Sequence, residues 1–312
     1  MSRPFRFGFQ LSGEHAADPV TAARHAEELG FDIVLVSDHV GPGLAPMTTL
    51  AAIASVTERI RLGTFVLNND MRNPHQLAWE AVSLDRLSGG RFELGLGAGH
   101  TPQEYVTTGI PMDPPAARKA RLVESLRTLR PLLSRSRELV AHAGTQQVHE
   151  YDLARAGIDV GEPLQERVPL LVGGNGASLL GAAGELADII GLQGLGRTLE
   201  DGHRHEVKWT ASHLDEQIAQ VRAGAGDRFA ELELNALVQV FSITDDRDTE
   251  LREITDRWPT LSVDDASVIP YLMIGSIDEI VGHVHACRDR WGITYFVVRA
   301  LDEFAPILDA FR

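Results

Sequence analysis

The stretch LGFDIVLVSDH, residues 29–39, contains the pattern that decides the fold. Gly30 follows an amphipathic helical pattern, and a glycine there can take the left-handed conformation that ends a helix. Ile33–Val36 is short and wholly apolar, which is typical of a parallel strand buried on both faces. Asp38 and His39 follow that run closely. The stretch therefore predicts a helix, a tight turn, a buried strand and a polar strand end, in that order.

The same strand–helix unit recurs along the chain. Gly292 and the SGGRF stretch at residues 88–92 make the same join, and Pro19, Pro46 and Pro74 stand where proline favours a helix start. The apolar runs predicted to be strands are Phe7–Leu11, Ile33–Val36, Leu62–Leu67, Phe92–Leu96, Leu170–Val172, Ile189–Leu192, Leu234–Val240 and Tyr295–Val298. Such alternation predicts the α/β class and a (β/α)8 TIM barrel. We expect a single domain over residues 1–312, with insertions at about 134–168 and 194–211.

Composition excludes several classes of protein. The 312 residues include 29 Lys and Arg against 44 Asp and Glu, a net charge of −15 that repels nucleic acids and anionic membranes. Cys287 is the single cysteine, so neither an internal disulfide nor a cysteine-based zinc site can form. Glycine and proline interrupt the long uncharged stretches, so neither stretch is predicted to be a membrane helix. We expect a cytoplasmic protein that binds neither nucleic acid nor membrane.

Candidate site residues follow the predicted strands. In a barrel of this kind the active site lies at the carboxyl ends of the strands, where all the loops after them converge. Four polar or glycine-rich clusters occupy such positions: Ser37-Asp38-His39, Asn68-Asn69-Asp70, Gly97-Ala98-Gly99-His100 and Gly173-Gly174-Asn175-Gly176-Ala177-Ser178.

Two of these clusters indicate specific chemistry. Gly174–Ala177 precedes a predicted helix, whose free N–H groups and dipole can bind a phosphate, although Leu179 breaks the dinucleotide fingerprint and a plain tight turn is the alternative. His39 follows a strand beside Asp38, which could hold the imidazole in one tautomer for proton transfer. A buried histidine satisfied by the barrel is the other interpretation. His203, His205 and Glu206 could ligate a metal, but they lie in a charged loop without supporting residues, so we predict no metal site.

The chain as a whole resembles the bacterial luciferase-like superfamily (LLM class) of flavin- and deazaflavin-dependent oxidoreductases. The matching motifs are ELGFD at 28–32, SDH at 37–39, RLGT at 61–64, LDRLSGGRFELGLG at 84–97, PLLVGG at 169–174 and IGSIDEI at 274–280. Within that superfamily, FVLNND at 65–70 and GIPMDPP at 109–115 resemble a coenzyme F420-dependent branch.

The resemblance implies that coenzyme F420 binds at the barrel mouth and that His39 is the proton-transfer partner. The cofactor-binding residues that it implies are Asp38, Phe65, Val66, Asn68, Gly97, Gly99, His100, Gly174, Asn175, Gly176 and Ala177. A non-proline cis peptide between Phe65 and Val66 is also implied, as is a homodimer formed through early barrel helices, with Pro46–Val56 and Trp79 as the surface.

The expected function is F420-dependent hydride transfer to or from a small or medium organic substrate, for example reduction of an activated C=C or C=N bond. An FMN-dependent luciferase-like monooxygenase is the first alternative, and a non-catalytic relative that binds no cofactor is the second. Glucose-6-phosphate is not the expected substrate. Dehydrogenases of this superfamily that act on it have a tryptophan shortly after the SDH element, where this chain has Gly41-Pro42-Gly43, and a glutamate where His100 aligns.

Overall fold

Eight parallel strands close into a barrel in the computed structural model, which describes residues 3–41, 43–135, 160–198 and 205–312. The strands of the described residues are β1 (Arg6–Gln10), β2 (Ile33–Val36), β3 (Arg61–Thr64), β4 (Leu67–Asn68), β5 (Phe92–Gly97), β6 (Leu170–Gly173), β7 (Ile189–Leu192), β8 (Leu195–Thr198), β9 (His205–Val207), β10 (Glu233–Leu237), β11 (Val240–Ile243), β12 (Leu272–Gly275) and β13 (Ile293–Val298). Around the barrel the order is β1, β2, β3 with its continuation β4, β5, β6, β7, β10 and β13, and β13 pairs with β1 to close the ring. The predicted fold class is confirmed.

Helices cover the outside of the barrel. Those of the described residues are α1 (Pro19–Leu29), α2 (Pro46–Ala54), α3 (Pro74–Leu87), α4 (Pro102–Thr108), α5 (Pro115–Leu132), α6 (Ala177–Leu186), α7 (Ala211–Ala225), α8 (Arg247–Arg257), α9 (Val263–Val268), α10 (Ile277–Trp291) and α11 (Ala305–Ala310). The three predicted proline starts are confirmed, and Gly30 and Gly292 end their helices in the left-handed conformation. None of the helices described here is long and apolar enough to span a membrane.

Two predicted strands are wrong in extent. The run Leu62–Leu67 is interrupted after Thr64: β3 ends there, β4 begins at Leu67, and the peptide bond between Phe65 and Val66 in the gap is cis. The run Leu234–Val240 spans the end of β10 and the start of β11, and β11 leaves the barrel to pair with β12. Both errors have one physical cause: an apolar run indicates that its residues are buried, but it does not show where the backbone bends within the run.

The predicted insertions lie where the barrel frame is interrupted. In the first, residues 136–159 lie outside the described residues, and its two ends meet, since Arg135 N–H donates to Glu166 O at 2.9 Å and Val168 N–H donates to Leu133 O at 3.0 Å. In the second, β8 and β9 form an antiparallel pair before α7 begins. The second insertion therefore carries structure of its own at the strand ends.

The amino end of the barrel is closed by an ion network. Arg6 on β1 contacts Glu93 and Glu233, both at 2.6 Å, and Arg61 reaches the same Glu93 oxygen at 2.5 Å. Burial alone would lower the pKa of Arg6, but the neighbouring carboxylates raise it above its ordinary value. Above this layer the interior is filled by apolar side chains such as Ile33, Leu171 and Val297. The barrel is thus filled from its amino end, and its open face lies at the carboxyl ends of the strands.

Candidate active site

A cavity of about 1090 Å³ opens at the carboxyl ends of the barrel strands. The four clusters predicted from the sequence converge on it. Its wall includes Asp38, His39, Phe65, Val66, Asn68, Gly97, Gly99, His100, Gly174, Asn175 and Gly176. Ala177, the remaining predicted residue, begins α6 directly after Gly176 but is not among the wall residues.

His39 is held by a carboxylate that the sequence did not indicate. Its Nδ1 lies 2.7 Å from Oε1 of Glu104, on α4, and the Glu104 side chain is buried. A carboxylate accepts hydrogen bonds only, so Nδ1 carries the proton and Nε2 is the nitrogen left for other chemistry. The imidazole is 59% exposed and forms part of the cavity wall, with the ring of His100 edge-on at 5.9 Å. The site therefore contains an oriented histidine open to a ligand.

Asp38 does not orient His39, and that interpretation is wrong. The buried carboxylate of Asp38 forms a two-pronged ion pair with Arg72, at 2.5 Å and 3.1 Å, and accepts the backbone N–H of Asn68 at 2.9 Å. Asp38 instead fixes the chain around Asn68, beyond the cis peptide.

The floor of the cavity depends on glycine. The cis peptide predicted at Phe65–Val66 is present, and it brings Val66 against the ends of β5 and β6. A Cβ on Gly97 would lie 2.7 Å from Val66 Cγ2, and one on Gly173 would lie 3.2 Å from Val66 Cγ1. Larger residues at these positions would displace Val66. Beside this floor, Asn68 Nδ2 is buried without a hydrogen-bond partner, so it is available as a donor to a ligand.

Gly174–Gly176 and the start of α6 form a cradle that could hold an anion. Gly176 has φ +91° and is the N-cap, so no side chain caps the first N–H groups of α6. The ammonium of Lys119, on α5, lies 2.7 Å from the Asn175 carbonyl oxygen and would be 3.0 Å from a Cβ on Gly176. Burial, and secondarily Arg118, lowers the pKa of Lys119, and no ion pair with a carboxylate of the described residues compensates its charge. An anion in the cradle would supply that compensation.

Sequence reasoning missed several wall residues. Glu104 lies on α4, and Arg118 and Lys119 lie on α5. Lys208 lies within the second predicted insertion, and His213 and Gln217 follow it on α7. Arg118 is buried and donates to the carbonyls of Ala98, Gly99 and Asp113, which holds the loop after β5 in place. None of these residues directly follows a predicted strand. For those on α4 and α5, the sequence signal is Pro102 and Pro115, which begin these two helices.

Metal ligation finds no support among the residues that the structure describes, where no three His, Cys, Asp or Glu side chains cluster. His203 lies outside the described residues.

This chain is similar to a known protein family and to several characterised proteins. The family model described as luciferase-like monooxygenase matches residues 2–289. An F420-dependent glucose-6-phosphate dehydrogenase of Microbacterium testaceum strain StLB037 is 32% identical over 198 residues, which cover 60% of this chain and 56% of that protein. The 4-hydroxyprotoasukamycin monooxygenase of Streptomyces nodosus subsp. asukaensis is 37% identical over 116 residues, which cover 36% of this chain and 30% of that protein. This chain thus spans about half the length, or less, of these two curated relatives.

Among solved structures, the coenzyme F420 dependent tetrahydromethanopterin reductase from Methanopyrus kandleri superposes with a TM-score of 0.69 at 18% identity, covering 99% of this chain and 100% of that one. At that identity the likeness concerns the fold alone.

Proposed function

Because the chain belongs to the luciferase-like monooxygenase family, we propose that it is a coenzyme F420-dependent oxidoreductase acting on a small or medium organic molecule. The observation that carries the proposal is one cavity that combines an anion cradle at Gly174–Gly176 with an oriented histidine, His39. Several relatives with F420-dependent names, at 30–36% identity, support this cofactor.

The residues present fit such a cofactor. The cradle and Lys119 suit its phosphate, and the open floor at Gly97 and Val66 suits a flat ring. Asn68 Nδ2 is a buried donor that needs a partner. The deazaflavin, when bound, supplies the hydride chemistry. The protein positions the ring and excludes water around it.

His39 handles the proton that accompanies hydride transfer. With Nδ1–H donated to Glu104, Nε2 takes the proton from a substrate hydroxyl during oxidation, and returns it during reduction. The buried Glu104 carboxylate stabilises the imidazolium that His39 becomes when Nε2 holds this proton. This chain has His100 where the related glucose-6-phosphate dehydrogenases have a glutamate. The site nevertheless contains a carboxylate, because Glu104 lies four residues further along the chain.

Titration of the purified protein with F420 and FMN, each oxidised and reduced, tests the proposal. We expect saturable binding of F420, with weaker binding of FMN. Tighter binding of reduced FMN than of F420, with oxygen consumption by the protein, would favour the FMN-dependent monooxygenase. Binding of neither cofactor would favour the non-catalytic relative.

We also propose a cytoplasmic homodimer. The single, buried Cys287 suits a reducing compartment, and an exposed apolar face on α3 suits self-association.

A further inference from the structure

Two arginines of the cavity wall, Arg118 and Arg299, have no ion pair with a described carboxylate, and Arg118 donates to three backbone carbonyls instead. Arg299 follows β13, and its Nε donates to Gln10 Oε1 at 3.0 Å and its Nη1 to Gln239 Oε1 at 3.3 Å. No carboxylate of the described residues lies within ion-pair distance of it. By contrast, Arg72 at the same mouth is paired with Asp38. Arg299 therefore brings a positive charge to the cavity, and its side-chain hydrogen bonds are made to neutral amides.

Polar atoms without partners accompany this charge. Gln239 Nε2 is buried and has no hydrogen-bond partner, because the same amide presents its oxygen to Arg299. Gln217, on α7, is only 2% exposed and its Oε1 is also without a partner, although the residue lines the cavity. Buried polar atoms are nearly always paired, so atoms of this kind in a cavity wall indicate a ligand that completes them.

This end of the cavity is not the anion cradle. The cradle follows β6, and the strand opposite β6 in the ring is β1, which carries Gln10. Arg299 follows β13 and His39 follows β2, the two neighbours of β1. A cofactor anchored at the cradle leaves Arg299 and His39 together on the far side, where the substrate has to bind.

The charged side chains on this side of the cavity favour a ligand with a single negative charge. Lys208 also lines the cavity, but its ammonium lies 4.0 Å from Glu206. Burial, followed by Lys208, lowers the pKa of His213, which favours the neutral imidazole. Arg299 is thus the cation left without a carboxylate on this side of the described mouth, and one cation balances a carboxylate better than a phosphate dianion.

We propose that Arg299, with Gln239 beside it, binds a carboxylate of the substrate, so that the enzyme acts on small carboxylic acids. The inference rests on the proposed function, since it assigns the far side of the cavity to the substrate. Arg299 retains N–H groups beyond the two that Gln10 and Gln239 accept, and a planar carboxylate matches them. Gln239 Nε2 adds a neutral donor beside it.

Heteronuclear NMR of the full chain without cofactor tests the assignment. The Nε–H resonance of Arg299 is identified by its absence in Arg299→Gln, and its bond to Gln10 slows exchange with water. Acetate and inorganic phosphate are titrated separately at constant ionic strength. We expect a saturable shift with acetate, binding at least about tenfold weaker for phosphate, and no saturable shift at the exposed Arg252, the matched control.

The outcomes separate this proposal from the proposed function. No saturable shift with acetate, or tighter binding of phosphate, would overturn the carboxylate assignment. F420 affinity, measured by cofactor fluorescence, should be the same in wild type, Arg299→Gln and Arg252→Gln. If Arg299→Gln alone loses F420, Arg299 serves the cofactor and the inference is wrong while the function stands. If wild type does not bind F420, the proposed function fails, whatever acetate does.

Discussion

The His39–Glu104 pair makes a prediction about turnover. We expect His39→Ala to lower turnover by roughly 10²–10⁴, the usual contribution of general acid–base catalysis, with little change in F420 affinity. Glu104→Gln keeps the shape of the side chain but places an amide where the imidazole needs a carboxylate, so a smaller loss is expected. Steady-state kinetics and cofactor titration on each variant measure the two effects. Normal turnover with collapsed cofactor binding in His39→Ala would make His39 a binding residue.

If the anion cradle binds the cofactor phosphate, a side chain that fills it should lower cofactor affinity. A leucine in Gly176→Leu would enter the space beside Lys119, and we expect F420 affinity to fall about tenfold or more, or about 1.4 kcal/mol. Because Gly176 has φ +91°, the substitution also strains the backbone.

Gly292→Leu is the matched control for that strain. Gly292 has φ +75° and open space around its Cα, at the end of α10 and away from the cradle. Both variants should lose stability in thermal unfolding, and only Gly176→Leu should lose F420. Equal F420 affinity in the two variants would place the phosphate elsewhere.

His283, on α10, predicts a pH dependence of stability. Its Nε2–H donates to Ile269 O at 3.0 Å, and burial lowers the pKa of the imidazole to about 4 from 6.5. The unfolded chain binds this proton near pH 6.5 and the native chain only near pH 4, so the contribution is full above pH 6.5 and is lost as the pH falls through that window. The loss amounts to about 3 kcal/mol.

Chemical denaturation across that pH window compares wild type with His283→Gln, which keeps an N–H donor for Ile269. The variant should show a flatter decline in the free energy of unfolding on acidification. Parallel declines in the two proteins would mean that His283 is solvated in the native state.

Residue-level prediction from the sequence succeeded where chemistry follows a strand directly. His39, Asn68 and Gly176 were found because each ends or follows a buried apolar run. Glu104 and Lys119 were not found, because they reach the cavity from helices whose placement over the mouth depends on tertiary packing. The role assigned to Asp38 was wrong for the same reason: its partner Arg72 is distant in sequence.

At the scale of elements, α6 and α7 pack through glycines, and this places the start of α6 at the cradle. A Cβ on Gly224 would lie well inside contact distance of the Gly181 carbonyl oxygen. We expect Gly224→Ala to destabilise the protein by several kcal/mol, since two helix backbones would have to separate. Gly181→Ala is the matched control: its Cβ meets open space, so stability should rise by about 1 kcal/mol. Thermal unfolding of both variants measures the difference, and changes of equal sign would contradict this packing.

The elements themselves were predictable to the extent that burial follows their period. α10 begins and ends where its pattern predicts, because Ile280, Val284 and Cys287 form one buried face and Ser276 caps it. The small sheet of β11 and β12 was missed, because Val240 belongs to an apolar run continuous with β10 and the bend after Leu237 leaves no mark in hydrophobicity.

At the scale of the whole molecule, the outer face of α3 predicts a homodimer. Trp79 and Leu87 are 60% and 71% exposed on one face of this helix, beside α2, whose own apolar residues such as Leu50 and Ile53 are buried against the barrel. We therefore expect Pro46–Val56 to contribute small outward-facing residues, which allow a second molecule to approach. Trp79 is expected to supply most of the apolar area of the interface. Sedimentation should give twice the chain mass of 34.1 kDa at micromolar concentration. Trp79→Asp should shift it to the monomer, whereas Val106→Asp, at a residue 73% exposed on α4, should leave the dimer intact. A monomeric wild type, or a dimer that tolerates Trp79→Asp, would exclude this face as the interface.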